Sequence, residues 1–155
     1  MVTATVPPIA LESLMAAARI FAATTVESVA QIGDTVTLPQ LRILVLASTR
    51  PSVNNSDVAQ ALDVHLSSVS RTCDRLVRSG LLSRQALPSD RRRVELILTC
   101  EGQRLVAEVT ARRRATFSRI LRQMPADDQT ALSQALDVFV NLADEQAAER
   151  GLLQL

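Results

Sequence analysis

From residue 11 onward, apolar or small side chains recur every three or four positions: Leu11, Leu14, Ala18, Phe21, Thr25, Val29 and Ile32. That spacing draws one stripe along a helix and predicts a long amphipathic element, halted by Gly33-Asp34. The residues before it end in Pro7-Pro8 and are expected to form a loose arm. Pro39 suits the first turn of a second helix, carried by Leu41, Leu44 and Val45 and closed near Arg50-Pro51. Asn54, with Asp57 three residues on, is a box-like start for a third helix over 55–62, with Val58 and Leu62 facing inward. A fourth helix runs from Leu66 to Ser79, with Gly80 as its stop.

The period then changes. Leu81–Arg84 and Val94–Thr99 read as strands, the second with alternating apolar positions, and QALPSDRRR between them reads as a turn. The result is a short hairpin with a charged tip. Thr99 caps a long helix reaching about Met124, with Leu105, Val109, Phe117, Ile120 and Leu121 along it. A last helix follows Pro125, with Asp127 and Asp128 where the helix dipole favours acids, and continues through Leu132, Leu136, Phe139 and Leu142 to Gly151. Such long terminal helices bury little against so small a centre, so their apolar stripes call for a partner, and a second copy of the chain is the simplest.

Composition narrows the class. The chain has 155 residues, 47% of them hydrophobic but only 2% aromatic. A core of Leu, Val, Ile and Ala suits helices better than sandwiches. The densest apolar run, Ile43–Ala47, is far short of the roughly 20 residues of a membrane span, and MVTATVPPIALES lacks the features of a signal peptide. No membrane partner is therefore expected. Two cysteines, Cys73 and Cys100, are too few for a disulfide framework, and a cytoplasmic location is expected.

The net charge of +1 hides a dipolar layout. His65–Arg93 carries seven arginines against two aspartates, a net +5, whereas Met124–Leu155 carries six acids against one arginine, a net −5. The basic segment is the candidate phosphate-facing surface. All 17 basic residues are Arg, as coding bias in a G+C-rich genome would also produce.

On a helix over 66–79, at roughly 100° per residue, Leu66, Val69, Cys73 and Leu76 share one side, and Ser67, Ser68, Arg71, Arg75 and Arg78 the other. Small hydroxyls near the N-terminus let a helix approach a major groove closely, and guanidiniums further along can fork onto guanine edges or grip phosphates. Such a face on an isolated helix is more often simply solvated. The hairpin adds a second basic probe, Arg91-Arg92-Arg93, one groove away and suited to a narrow minor groove. Asp90 beside it makes sense if it anchors a guanidinium, with Arg84 across the hairpin as the expected partner.

These residues resemble a known family. LDVHLSSVSRTCDRLVRSGLLSR followed by SDRRRVELILTCEG is similar to the MarR family of winged helix-turn-helix regulators, in which an Asp-x-Arg pair precedes a Leu-Thr and a Gly that start a long helix. Here these are Asp90, Arg92, Leu98, Thr99 and Gly102, and the likeness runs from about Leu11 to Leu142. The resemblance implies a mainly α fold with a β-hairpin wing. It has an arm and dimerisation helix at 1–36, a DNA-binding domain at 37–99 and C-terminal dimerisation helices at 100–155. It further implies that Arg92 enters the minor groove, that Asp90 holds the wing in shape, and that Ser67, Ser68, Ser70 and Arg71 meet the major groove. His65 stands where a Ser or Asp cap is usual, so it either weakens the helix start or itself touches DNA. By the same resemblance, the protein is a homodimer binding a pseudo-palindrome in double-stranded DNA. A small lipophilic or phenolic effector would lodge between the dimerisation helices and the winged part.

Other chemistry is thinly represented. His65, the sole histidine, has no ligand-spaced partners, so neither a metal nor a cofactor is implied. Cys73 falls on the core face, while Cys100 opens a helix, a position that can stabilise a thiolate and so offers a candidate for redox sensing. Arg112-Arg113-Arg114 reads as a solvated or interface face. With four glycines and no phosphate loop, an enzyme is not expected. The residues alone leave open a winged-helix protein-docking module and a sequence-indifferent architectural DNA binder.

Overall fold

The computed structural model describes residues 7–50, 52–87 and 90–149, with only the backbone for 34, 87, 90–93 and 145–149. Six helices and one hairpin follow in order: α1 (Pro8–Ala30), α2 (Leu38–Thr49), α3 (Asn55–Leu62), α4 (Leu66–Arg78), β1 (Leu82–Leu87), β2 (Asp90–Leu98), α5 (Cys100–Leu121) and α6 (Ala126–Glu149). A 3-10 turn at Gly33–Thr35 separates α1 from α2.

Local chemistry sets most of the boundaries. Thr37 and Gln40 form a capping box at α2, and Gln40 Oε1 accepts the Thr37 N–H at 2.7 Å. At α3 the Asn54 Oδ1 accepts the Ser56 and Asp57 N–H groups at 2.8 and 3.1 Å, and Asp57 Oδ2 accepts the Asn54 N–H at 2.9 Å. These bonds satisfy donors that a helix start leaves without partners. Asp63, at φ 51°, turns the chain from α3 toward α4. At the far end of α4, Gly80 takes φ 73°, and the Gly80 and Leu81 N–H groups donate to the Val77 and Leu76 carbonyls, both at 3.0 Å. This paired closure needs a left-handed residue that glycine adopts without a Cβ clash.

The core lies in the middle of the chain. Leu41, Ile43, Leu44 and Leu46 of α2 meet Val58 of α3, Val69, Cys73 and Leu76 of α4, the hairpin leucines Leu82, Leu96 and Leu98, and Leu105 and Val109 of α5. α2 therefore buries more of its circumference than its sequence stripe indicates, because helices and hairpin enclose it together. Val53 joins this core, and its carbonyl accepts the Leu96 N–H at 2.8 Å, adding a single rung beside the hairpin.

The hairpin is longer than expected. Much of QALPSDRRR is strand, and only 88 and 89 lie between the described strand ends. Register runs from Leu82↔Leu98 to Ala86↔Val94 and then jumps to Leu87↔Asp90, so 91–93 form a bulge on β2. Polar turn-formers disguised the strand, because a wing faces solvent and has little core to record in its pattern.

α1 and α5 meet through an edge-to-face pair, Phe21 and Phe117, with ring centres 5.5 Å apart at 90°. Most of the remaining α1 and α6 apolar surface is bare in the single chain: Ile9, Leu11, Met15, Ile20, Val138, Phe139, Val140 and Leu142 are all exposed. α1 is also long and apolar enough to cross a membrane by length and composition, with a mean hydropathy of 1.5 over 18 residues. No dense apolar run marks it in the sequence, because its hydropathy is spread among alanines with few charges. α6 ends at Glu149, and the expected extension to Gly151 lies outside the described residues.

Candidate nucleic-acid interface

α4 has two sharply different sides. Val69, Cys73 and Leu76 are fully buried, while Ser67, Ser68, Arg71, Arg75 and Arg78 are exposed on the opposite face. Among the described residues Arg71 and Arg75 have no ion-paired or hydrogen-bonded side-chain partner, and Arg78 bonds only its own helix, Nε donating to the Asp74 carbonyl at 3.3 Å. Three guanidiniums thus stand on one open face. The core-side stripe shows one departure: Leu66, expected inside, is half exposed. It is the first residue of α4, where no further turn and no neighbouring element covers it.

His65 precedes α4 with extended backbone and gives no side-chain cap. Its carbonyl accepts the Ser68 and Val69 N–H groups at 2.9 and 3.2 Å. Ser70 does not share the open face. It is half-buried and lines a recess between the start of α3, α4 and β2, together with Asn54, Asn55, Asp74 and Arg84. The buried Asn55 Oδ1 in that recess lacks a partner among the described residues.

While the side chain of its expected partner, Asp90, falls outside the described ones, Arg84 has a partner the sequence did not indicate. Strand alternation puts it on the same face as buried Leu82, pointing back at α4, where Nη2 meets Asp74 Oδ1 at 2.6 Å. The register sets Arg84 opposite Leu96, and Asp90 opposite Leu87 three positions nearer the tip. Arg84 thus ties the wing to α4, and Asp74 had no signal in the sequence beyond being an acid among arginines. Asp90, Arg91, Arg92 and Arg93 lie on β2 at and beside the bulge, and their side chains fall outside the described ones.

The root of the wing is fixed by Thr99. Its hydroxyl donates to the Gly80 carbonyl at 2.6 Å and accepts the Gly102 N–H at 3.1 Å, while its own N–H donates to the Leu81 carbonyl at 3.2 Å. One residue thereby joins the end of α4, the base of the hairpin and the start of α5. Cys73 lies inside this unit, and burial pushes its thiol up to about 11 from an ordinary 9.0. Cys100 is exposed.

A second feature lies between α1, α2 and α5. A cavity of about 130 Å³ is lined by Thr25, Leu38, Leu41, Val45 and Leu62 together with Arg42 and Arg113. The Arg113 Nε is buried without a hydrogen-bond partner among the described residues. Its neighbour Arg112 bonds Glu108 and the Gln31 carbonyl and side chain, joining α5 to the end of α1, and Arg114 is exposed. The arginine triplet therefore divides into three surroundings.

Comparison with known proteins gives concordant findings. The MarR family model matches residues 36–94, from the start of α2 into β2. The HTH-type transcriptional repressor MdtR of Bacillus subtilis (strain 168) is 34% identical over 114 residues, covering 74% of this chain and 70% of that protein. The crystal structure of RV1404 from Mycobacterium tuberculosis shares the fold at a TM-score of 0.79 and 33% identity, over 91% of this chain and 97% of that one. CouR from Rhodococcus jostii RHA1, solved bound to p-coumaroyl-CoA, matches at a TM-score of 0.63 and 27% identity, over 84% and 88% of the two chains.

Proposed function

Because the chain belongs to the MarR family and is a DNA-binding transcription regulator rather than an enzyme, we propose that it represses transcription from the cytoplasm as a homodimer on a pseudo-palindromic operator. The observation that carries this is the open face of α4, where Arg71 and Arg75 stand unpaired among the described residues opposite a fully buried Val69, Cys73 and Leu76. Ser67 and Ser68 allow close approach to the major groove, Arg71 takes a base edge, and Arg75 and Arg78 grip phosphates. Arg92, flanked by Arg91 and Arg93, enters the adjacent minor groove from the wing, whose angle is held by the Arg84–Asp74 pair. His65 and Ser70 border this surface, His65 at the helix start and Ser70 from the recess side.

Dimerisation through α1, α5 and α6 is supported by the apolar side chains those helices leave bare. The second copy then places two reading heads about one helical turn apart on DNA. An apolar effector the size of one aromatic ring suits the cavity at α1, α2 and α5. A void of about 150 Å³ holds a benzene, whereas drug-sized ligands need upwards of about 300 Å³. Because the lining comes from a terminal helix and the DNA-binding centre together, occupation would shift the spacing of the heads.

The test is fluorescence anisotropy on a duplex selected by the protein from a random library, with sizing chromatography alongside. Arg71→Ala and Arg92→Ala are each expected to weaken binding by about 5- to 150-fold, the range for losing one base-reading or groove-inserted arginine, while remaining dimeric. Unchanged affinity in either variant removes that element from the mechanism.

A further inference from the structure

The exposed leucine at the tip of α4 remains without a role. Leu66 is 50% exposed, and Val64, two residues earlier in the turn, is 45% exposed. By azimuth Leu66 lies about 20° from buried Cys73, so the sequence stripe assigns it to the core. The stripe fails because helical side chains tilt toward the N-terminus. Those further along α4 lie over a preceding turn and against neighbours, whereas a first-position side chain projects beyond the end of the helix. Its chain neighbours on the exposed surface are Ser67, Ser68 and, one turn on, Arg71.

We infer that Leu66 is a specificity-determining residue that reads a thymine through its C5-methyl group. The inference rests on the proposal that α4 enters the major groove. In that geometry the N-terminal residues of the helix approach base edges most closely, and the thymine methyl is the one apolar feature the groove presents. A lone exposed leucine elsewhere would carry no meaning. Here the apolar spot is two residues wide and set in hydroxyls and guanidiniums, within a segment of net charge +5. Such a patch is far too small for a protein interface and matches a methyl set among polar base edges and phosphates. Leu66 therefore complements Arg71: the arginine selects a guanine by hydrogen bonding, and the leucine selects a thymine by contact.

The experiment replaces single thymidines by deoxyuridine in the selected duplex, which removes one methyl and no hydrogen-bonding group. For the wild-type protein one symmetric pair of positions should show a loss of about four-fold per half-site, the worth of one buried methyl. Leu66→Ala should bind the deoxyuridine and thymidine duplexes equally, and Leu66→Met, still apolar, should retain most of the discrimination. Equal unfolding midpoints for the three proteins confirm that the surface change left the fold intact. A methyl penalty that persists in Leu66→Ala, or no position with a penalty in the wild type, overturns the inference about Leu66. Wild-type affinity retained by Arg71→Ala, or failure to select any duplex, overturns the underlying placement of α4 as well.

Discussion

Replacing Gly102 by alanine puts a methyl group into the tightest backbone approach at the root of the wing. A Cβ at this position would lie 2.2 Å from the Leu81 carbonyl oxygen and 2.9 Å from Leu98 Cδ2. Ordinary contact requires the two segments to part by at least about 1 Å. Leu81 has little freedom to yield, since its oxygen accepts the Thr99 N–H and its own N–H closes the end of α4. Overpacking of this kind costs about 1–3 kcal/mol, with the upper end expected when backbone rather than a side-chain tip must move. The better helix propensity of alanine returns about 1 kcal/mol. The expected net loss is about 2 kcal/mol, which for a chain of this size lowers the unfolding midpoint by about 4–8 °C. Circular dichroism melts and urea titrations at one fixed chain concentration measure it, because association would otherwise contribute to the midpoint. Gln103→Ala, one exposed position further on, is the control and should be near neutral. A Gly102→Ala protein as stable as the parent, or more stable by the 0.4–1 kcal/mol typical of a glycine with free space around it, would refute the close approach. The variant should also bind DNA less well at temperatures where it is folded, since β1 begins at the residue after Leu81.

Asn54→Ala should cost about 1 kcal/mol, the usual worth of a helix cap, and urea unfolding reads it directly. Arg84→Ala and Asp74→Ala should each cost less than about 1 kcal/mol in stability, since both partners are partly exposed. Both should weaken operator affinity, and the double variant should weaken it no further, a non-additivity that a double-mutant cycle by anisotropy detects. Thiol titration of the native protein at pH 8 should modify Cys100 alone, with Cys73 reacting only after denaturation. Because the folded protein holds the Cys73 proton to about pH 11 and the unfolded chain releases it near 9.0, stability is full below pH 9 and falls as the pH rises toward 11. Cys73→Ala should lack that share of the decline.

The sequence was most legible where one local rule acts alone. The Asn54 cap, the Gly80 stop and the Thr99 start each depend on a few consecutive residues, and each appears where expected. Legibility failed where distant segments decide. Leu66 carries the core stripe past the point where the core ends, and nothing in its own helix marks that limit. Arg84 pairs with Asp74 across ten positions because strand alternation aims it toward α4, a contact that the hairpin residues by themselves do not signal. The wing tip reads as a loop because its residues are turn-formers, although the backbone pairs 85–87 and 90 with the opposite strand. Ser70 and Arg113 share a residue type with near neighbours in the chain, but each lines a recess that only the packing of separate elements creates.

Hydroxyl-radical footprinting of a selected duplex, paired with methylation protection of its guanines, probes both grooves in one complex. Two guanine-protected major-groove patches centred about 10 bp apart, each flanked by a protected stretch of minor groove, are the pattern two copies of α4 and its wing should leave. A single protected patch, or uniform weak protection lost to competitor DNA, would contradict the assignment of α4 and the wing as the paired reading heads.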